Sequence, residues 1–165
     1  MTASDLSIRP ATLDDVPAVL ALARELVADG TTYFFTPDTT DRALLDYWMA
    51  PGEWTFVACD GREVVGCYVL RRNFPGRASH VANASYLVGA RHAGKGVGRS
   101  MGEHSLAEAR ARGFAAMQFN LVVSTNAPAV ALWKKLGFEV VGTLPRAFDH
   151  PRLGKVDAYV MHRFL

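Results

Sequence analysis

A glycine-rich segment in the middle of the chain constrains the possible fold more than any other feature. It follows a run of β-forming residues and opens a run with helical periodicity at residues 94–112. A turn between a strand and a helix leaves the first N–H groups of the helix without partners, and with the helix dipole these groups attract anions. We therefore expect an α/β fold that binds a phosphate or pyrophosphate at this turn. The segment consists of Arg91, His92, Ala93, Gly94, Lys95, Gly96, Val97, Gly98 and Arg99.

Three phosphate-binding motifs can be compared with this segment. Gly89 and the pair Gly94-Lys95 have the spacing of a P-loop, but Gly96 stands where that motif needs Ser or Thr to hold Mg²⁺. The dinucleotide pattern G-x-G-x-x-G fails because the glycines fall at positions 94, 96 and 98. The pattern that fits is Arg-x-x-Gly-x-Gly, from Arg91 to Gly96. A turn without any ligand is the alternative.

The rest of the chain is predicted to form one domain over residues 1–165 with the order β-α-α-β-β-β-α-β-α-β-β. Thr12 and Asp15 form an acidic variant of the capping box, Gly30 ends the first helix, and the Asp60-Gly61 pair is typical of a tight hairpin. This order indicates a mixed α/β sheet, neither a sandwich nor a regular doubly wound sheet. The predicted strands cover residues 6–8, 54–59, 63–70, 80–88, 114–123, 138–144 and 156–164, and the helices lie between Thr12 and Gly30, after Thr40, at 94–112 and at 128–136.

The composition excludes several classes of protein. Half of the residues are hydrophobic and 21% are charged, which is typical of a globular protein and not of a disordered chain, a collagen or a coiled-coil rod. No apolar run approaches the roughly 18 residues that a membrane span needs, and residues 1–10 lack the pattern of a secretory signal. We therefore expect a cytoplasmic protein without a membrane partner, in which Cys59 and Cys67 are reduced core thiols rather than a disulfide.

The formal net charge of +2 is unevenly distributed along the chain. Residues 1–80 carry 7 basic and 11 acidic side chains, whereas residues 81–165 carry 11 basic and 5 acidic ones. We therefore expect an anionic ligand to bind the second half, and the acidic first half to favour a cationic amine. A pI of about 8.7 and the lack of a basic stripe argue against nucleic acid as a partner.

A second motif follows the glycine-rich turn and runs from Asn126 to Phe138, as Asn-x-x-Ala-x-x-Leu-Trp-x-Lys-x-Gly-Phe. The two motifs, together with the opening Ile8-Arg9-Pro10-Ala11-Thr12, resemble the GCN5-related N-acetyltransferase (GNAT) family in the right order along the chain. The resemblance implies a single-domain α/β GNAT fold with a mixed, mostly antiparallel sheet of about seven strands, a central V-shaped splay and about four flanking helices. It also implies acetyl-CoA as the cosubstrate and a homodimer as a common assembly.

The resemblance places acetyl-CoA in the V between the strands predicted at residues 80–88 and 114–123. The pantetheine arm would pair with backbone near Leu87 and Val88, and the pyrophosphate would lie on the N–H groups of residues 92–99. Asn126 would hydrogen-bond the arm. The remaining expected cofactor contacts are Ala129 and Trp133 in the second motif and the phosphate cations Arg91, Arg99, Lys134 and Lys135, for which a solvated surface charge is the alternative.

Acetyl transfer to an amine needs a donor for the developing oxyanion and a proton for the leaving thiolate. The resemblance assigns the oxyanion donor to a backbone N–H on the strand at residues 80–88, and we select Val88. The family's usual proton donor is a Tyr, but Trp133 occupies that position, and an indole N–H cannot give up its proton near neutral pH. Packing on the CoA arm is the alternative role of Trp133. Tyr159, Tyr86 or a water could replace the acid. No histidine pair has metal-ligand spacing, so no metal site is expected.

The usual catalytic base is also missing, because the family's common Glu has no counterpart on the strand at residues 80–88. His80 or a bound water could take the proton. Asn83 and Asn120 lie within strands among apolar neighbours, where Asn is disfavoured, so we expect both near the reacting groups, with a purely structural role as the alternative. Both residues lie in segments that resemble the fungal azetidine-2-carboxylate acetyltransferases, which are longer chains and act on small cyclic imino acids.

The acceptor pocket is expected to be built from the aromatic residues 33–35 and the segments 71–77 and 148–153. A carboxylate could bind one of five arginines, Arg71, Arg72, Arg77, Arg146 and Arg152. The sequence therefore predicts an acetyl-CoA-dependent N-acetyltransferase that acts on a small amino-acid-like or imino-acid amine. A protein or peptide acceptor and a non-catalytic acyl-CoA-binding module are the alternatives.

Overall fold

Seven strands and four α-helices follow one another in the predicted order over residues 6–165, the part of the chain that the computed structural model describes. The expectation about a signal sequence at residues 1–10 lies partly outside these residues. The strands are β1 (Leu6–Pro10), β2 (Trp54–Asp60), β3 (Glu63–Arg72), β4 (Val81–Val88), β5 (Ala116–Val123), β6 (Glu139–His150) and β7 (Gly154–Phe164). The helices are α1 (Val16–Asp29), α2 (Asp41–Trp48), α3 (Val97–Ala111) and α4 (Ala127–Lys135).

A capping box fixes the entrance to α1, as the sequence predicts. The Thr12 N–H donates to Oδ2 of Asp15 at 2.7 Å, and the Arg9 guanidinium donates to both oxygens of the same carboxylate at 2.7 and 2.8 Å. The box encloses a short 3-10 turn at Leu13–Asp15, and α1 follows directly at Val16. Gly30 ends the helix in the left-handed conformation, at a φ of 66°. Local sequence therefore determines both ends of α1.

The seven strands form one sheet in the order β1-β2-β3-β4-β5-β7-β6. All neighbouring strands are antiparallel except β4 and β5, which are parallel. This parallel pair holds only at Val81 with Ala116 and at Ala82 with Met117, after which the two strands separate. The central V-shaped splay is therefore confirmed, and it is closed at the start of β4 and open at its end.

Each face of the sheet carries its own hydrophobic cluster. The cluster under α3 and α4 includes Tyr68, Met101 and Trp133. The cluster under α1 and α2 includes Val19 and Trp48. Because side chains alternate along a strand, β4 contributes to both clusters and is the boundary between them. Both walls of the V therefore pack against the α3–α4 cluster, and β4 alone also contributes to the α1–α2 cluster.

Several boundaries differ from the sequence prediction for local reasons. Helix α3 begins at Val97 rather than at Gly94, since Gly94 and Gly96 have φ values of 74° and 88°, outside the helical region. Strand β6 continues past the predicted end at residue 144 to His150, because an edge strand tolerates a proline. In the hairpin between β2 and β3, Asp60 pairs with Glu63, so the two turn residues are Gly61 and Arg62 rather than the expected Asp60 and Gly61. Of these residues, only Gly61 has a positive φ.

Cys59 and Cys67 are both buried and free, which confirms the expectation of reduced core thiols. Burial raises the pKa of both thiols, so they remain protonated at neutral pH. Within residues 6–165, no helix is both long enough and apolar enough to cross a bilayer.

Candidate active site

The turn before α3 presents a row of free backbone donors. The N–H groups of His92, Ala93 and Lys95 are used within the turn, because each donates to the carbonyl three residues earlier. Residues 94 and 96–99 have no hydrogen-bond acceptor for their N–H groups within the described chain, and Gly96 caps the helix at a φ of 88°. The predicted anion site is therefore narrower than residues 92–99 and is centred on the first turn of α3.

The cations around this turn are unequal. Arg91 and Lys95 are exposed beside the turn, whereas the Arg99 guanidinium donates to Glu103 at 2.8 Å. Arg99, Glu103 and Lys135 line a cavity of about 310 Å³ between α3 and α4. Lys134 and Lys135 are exposed in the last turn of α4, so the structure leaves them accessible to a phosphate.

The backbone of β4 supplies the wall of the V nearest this turn. The Gly89 N–H donates to the Val65 carbonyl of β3 at 2.9 Å. Because the backbone groups of an antiparallel strand point to alternate sides, the N–H and C=O of Leu87, two residues earlier, also point toward β3. The same alternation turns those of Tyr86 and Val88 toward the gap. Leu87, expected to contact the cofactor, therefore has its backbone directed away from the gap and its side chain in the α1–α2 cluster. The backbone of Tyr86, rather than that of Leu87, faces the gap.

A phenol hydroxyl from the loop after α1 reaches into the gap. The Tyr86 N–H donates to Oη of Tyr33 at 2.9 Å, and the Tyr33 hydroxyl donates to the Tyr86 carbonyl at 3.3 Å. Desolvation of this hydroxyl raises the pKa of Tyr33. Sequence reasoning placed Tyr33 in the acceptor pocket but gave no sign of this contact, which joins residues 53 positions apart.

Trp133 is a packing residue rather than a proton donor in this geometry. Only 8% of it is exposed, and its ring lies 4.7 Å from Tyr86 and 4.8 Å from Phe119 between ring centroids. Tyr86, one of the proposed substitutes, has its hydroxyl 2.7 Å from Oγ of Ser105, and burial raises its pKa. Neither side chain can readily supply a proton to a group in the gap.

The start of α4 lies at the first residue of the second motif. Asn126 is the N-cap, and its side-chain oxygen accepts a long hydrogen bond of 3.4 Å from the Ala129 N–H. The Asn126 amide nitrogen has no acceptor within residues 6–165, so it can donate to a ligand in the open end of the V. Tyr159 lies on β7, half-buried against the α3–α4 cluster.

A cluster of side-chain amides lies between the β3–β4 connection and β5. Oδ1 of Asn73 accepts hydrogen bonds from Asn83 at 3.0 Å and from Asn120 at 2.7 Å, and Gln118 donates to Asn120 at 2.9 Å. Asn83 and Asn120, both expected near the reacting groups, therefore share Asn73 as a partner. Neither amide is fully buried, because Asn83 is half-buried and Asn120 is exposed where β5 shifts register between Phe119 and Val122. Asn73 was missed, since nothing in its loop sequence distinguishes it.

Several other expected pocket residues point elsewhere. His80 is exposed at the closed end of the V, next to the Val81–Ala116 pair, so it does not reach the gap. The Arg72 guanidinium stacks over Trp54, with its Cζ 5.4 Å from the ring centroid. The Trp54 ring in turn packs against the α3–α4 cluster. Arg71 donates to the Tyr47 carbonyl at 2.8 Å and lies over that ring.

Of the five arginines, Arg152 lines a polar cavity at the open end of the V. This cavity, of about 170 Å³, also includes Thr32, Asn126 and the buried His150. Nδ1 of His150 accepts hydrogen bonds from the N–H groups of Arg152 and Leu153, both at 3.2 Å, which fixes the hairpin between β6 and β7. Arg77 and Arg146 are exposed outside this cavity.

Aromatic side chains cover the α1–α2 side of β4. Tyr33, Phe34 and Phe35 pack with Tyr47 and Trp48 at ring-centroid separations between 4.6 and 6.5 Å. The Tyr47 hydroxyl lies 2.8 Å from Oγ of Ser85 on β4. This side of the V is therefore roofed rather than left as an open groove. Within the described residues, no three His, Cys, Asp or Glu side chains are grouped to hold a metal.

A splayed β4–β5 pair beside a helix with free N–H groups defines an acyl-CoA-type site, and comparison with known proteins agrees. The model of the acetyltransferase (GNAT) family matches residues 20–138, well over half of the chain. The chain belongs to the GNAT family, which confirms the resemblance derived from the two motifs.

Three relatives extend this assignment. N-acetyltransferase aca1 of Schizosaccharomyces pombe is 38% identical over 101 residues, which cover 59% of this chain and 47% of that protein, so the chain spans about half of that relative's length. The L-methionine sulfoximine/L-methionine sulfone acetyltransferase of Pseudomonas aeruginosa is 32% identical over 147 residues, covering 85% of this chain and 84% of that protein. The solved structure of a GCN5-related N-acetyltransferase from Kribbella flavida is 43% identical, with a TM-score of 0.96 over 99% of this chain and 100% of the other.

Proposed function

We propose that this protein transfers the acetyl group of acetyl-CoA to the amine of a small amino-acid-like or imino-acid substrate. The observation that carries the proposal is the gap between β4 and β5, which opens after two residue pairs and ends beside the free N–H groups of α3. A row of backbone donors at the mouth suits a pyrophosphate, and an extended gap between strands suits a pantetheine arm. Family membership supports both assignments.

The residues of the gap fit this cosubstrate in detail. Val88 presents its N–H and C=O to the gap and is the proposed backbone partner of the arm, with Asn126 donating from the opposite wall. Gly94 and residues 96–99 would hold the pyrophosphate. Arg91, Lys134 and Lys135 would pair with the phosphates more readily than Arg99, whose charge Glu103 already offsets.

The chemistry is a direct transfer in which the cosubstrate supplies an activated thioester. The amine nitrogen forms a bond to the carbonyl carbon, the carbon–sulfur bond breaks, and the amine loses one proton while the thiolate gains one. Asn83 and Asn120 would hold the amine by hydrogen bonds but cannot take its proton, so a water accepts it. Because Trp133 and Tyr86 are packed away from the gap, we assign the proton for the thiolate to water as well.

A small acceptor fits the roof over the V better than a peptide does. Phe34 and Phe35 pack with the ring of Tyr47 beside β4, and these bulky side chains narrow the space that an extended chain would need. The relative named for L-methionine sulfoximine and L-methionine sulfone supports an amino-acid-like acceptor. Arg152, in the cavity at the open end of the V, is the proposed cation for an acidic group of that acceptor.

The proposal is tested by thiol release from acetyl-CoA with a panel of acceptors: azetidine-2-carboxylate, L-proline, L-methionine sulfone and a short peptide. Turnover of at least one amino or imino acid, with a higher kcat/KM than the peptide, is the expected result. Preference for the peptide would support the protein N-acetyltransferase alternative. Binding of CoA without turnover of any acceptor would support a non-catalytic acyl-CoA module and would overturn the proposal.

Substitution of the amide cluster separates an acceptor role from a structural one. Asn120→Ala removes a hydrogen bond that we assign to the acceptor, so kcat/KM for the acceptor should fall about tenfold while the KM for acetyl-CoA stays within threefold. Gln118→Ala is the matched control, because Gln118 belongs to the same amide cluster but is not assigned to the acceptor. Equal loss of acceptor turnover and acetyl-CoA binding in Asn120→Ala would indicate a structural amide.

A further inference from the structure

The hydroxyl of Tyr33 is a side-chain donor directed into the gap at the level of Tyr86. Its two hydrogen bonds to Tyr86 differ in quality. The bond that its oxygen accepts from the Tyr86 N–H, at 2.9 Å, has a normal length, whereas the bond that its proton makes to the Tyr86 carbonyl, at 3.3 Å, is long for a hydroxyl donor. The oxygen is therefore anchored, while its proton can turn to a better acceptor at small cost.

The chemistry of this hydroxyl suits a hydrogen-bond donor rather than an acid. An N–H donated into a phenol oxygen polarises its O–H bond and strengthens the hydrogen bond that this proton makes. Because desolvation raises the pKa of Tyr33, the phenol keeps its proton across the neutral range. A neutral, anchored donor beside a carbonyl that gains negative charge is the arrangement of an oxyanion hole.

The hydroxyls of two other tyrosines near the V are already engaged. The Tyr86 hydroxyl is 2.7 Å from Ser105 in the α3–α4 cluster, and the Tyr47 hydroxyl is 2.8 Å from Ser85. Neither one contacts the edge of β4 that faces the gap. Among residues 6–165, Tyr33 is the only tyrosine whose hydroxyl is bonded to that edge.

We propose that Tyr33 is a catalytic residue whose hydroxyl donates a hydrogen bond to the thioester oxygen of acetyl-CoA while its own oxygen stays bonded to the Tyr86 N–H. The proposal rests on the proposed function and revises the assignment of the oxyanion donor to Val88. Residues 86 and 88 are about 6.6 Å apart along the strand, so donors at these two positions cannot both hydrogen-bond to the same thioester oxygen. Val88 is left to pair with the pantetheine arm.

Tyr33→Phe removes the donor, and Tyr68→Phe is the matched control because it also removes one buried phenol hydroxyl, which lies 2.6 Å from Nδ1 of His104 in the α3–α4 cluster. We expect kcat to fall 10- to 100-fold in Tyr33→Phe with the KM for acetyl-CoA within threefold, and we expect Tyr68→Phe to stay within threefold in both constants. An unchanged or higher kcat in Tyr33→Phe would overturn the proposal, since it would show that the hydroxyl only fills the gap. Thermal unfolding of each variant reports whether the fold is kept.

A spectroscopic measurement tests the same contact without any turnover. In the binary complex with acetyl-CoA labelled by ¹³C at the carbonyl, the infrared carbonyl stretch should lie lower in the wild type than in Tyr33→Phe. Fluorotyrosine at position 33, a stronger donor that keeps the side-chain shape, should lower the stretch further. Equal frequencies in all three proteins would overturn the proposal and return the donor role to Val88. Failure of the proposed function is distinct, because it is seen as a wild type that acetylates none of the panel.

Discussion

Asp15 is predicted to stabilise the fold through a carboxylate that is almost fully buried. Its oxygens accept hydrogen bonds from both terminal nitrogens of Arg9 and from the Thr12 N–H and hydroxyl, and only 5% of the residue is exposed. These donors, the Arg9 guanidinium first among them, lower the pKa of Asp15 from 3.8 to about 2. At about 1.4 kcal/mol per pKa unit, the ionised carboxylate contributes about 2 kcal/mol to the free energy of unfolding at neutral pH.

The sign of the pH dependence follows from the lowered pKa. A carboxyl group that is more acidic in the folded state gives its full stabilisation above the unfolded pKa and loses it as the pH falls through the folded value. Asp15→Asn should therefore lower the free energy of unfolding by about 2 kcal/mol or more at pH 6, measured by urea denaturation. The difference between wild type and variant should shrink by more than about 1 kcal/mol at pH 2.5, where the wild-type carboxyl group is partly protonated.

A matched control comes from the ion pair between Arg24 and Asp41, whose side chains are 37% and 60% exposed. Asp41→Asn should cost less than about 1 kcal/mol at pH 6, because solvent screens exposed pairs. Two results would refute this account of Asp15: a difference between wild type and Asp15→Asn that is the same at pH 6 and pH 2.5, or a cost no larger than that of the control.

Three further predictions concern the cofactor side of the sheet. A Cβ at Gly102 would lie 2.6 Å from Cδ1 of Leu136, so Gly102→Ala should lower the free energy of unfolding by about 1–3 kcal/mol. The control is Gly142→Ala, where the nearest atom to the added Cβ is 4.0 Å away. In the same denaturation assay it should change the free energy of unfolding by less than about 0.5 kcal/mol. Gly96→Ala should raise the KM for acetyl-CoA severalfold more than it lowers kcat, because Gly96 opens α3 at a φ of 88° that Ala rarely adopts. The control Gly61→Ala, in the hairpin between β2 and β3, should lower stability without changing the KM for acetyl-CoA. Steady-state kinetics and thermal unfolding of both variants test this difference. Trp133→Phe should keep kcat within about threefold and lower stability by about 1–2 kcal/mol, whereas a loss of kcat beyond a hundredfold would show that the indole N–H takes part in the reaction.

The order of elements and the V-shaped splay were predictable because they depend on signals of short range or on two recognisable motifs. Gly30 ends α1 through its own left-handed conformation, as the sequence predicted, whereas the start of α3 was placed three residues too early, at Gly94. The end of β6 was placed too early, since Pro145 interrupts a strand pattern but is tolerated at a sheet edge.

The parts of the site that the sequence could not predict depend on contacts between distant residues. Tyr33 meets Tyr86 across 53 positions, and Asn73 joins Asn120 across 47. Neither pair has a local signal, because the hydrogen bonds arise from how α1, the β3–β4 connection and β5 pack together. The exposure of Asn120 has the same origin, since a shift in the pairing of β5 with β7 turns it outward. The direction of the Leu87 backbone depends on the register between β3 and β4, which the sequence could not predict either.

The division of the apolar interior by the sheet has an evolutionary consequence. Val19 and Trp48, on the proposed acceptor side, pack in one cluster, and Val97 and Met101, at the proposed acyl-CoA turn, pack in the other. Substitutions at sites far apart and without shared partners have nearly additive effects on stability. Apart from residues next to β4, which belongs to both clusters, mutations on the proposed acceptor side should therefore disturb the acyl-CoA turn little, and new acceptor specificities can arise without loss of that turn.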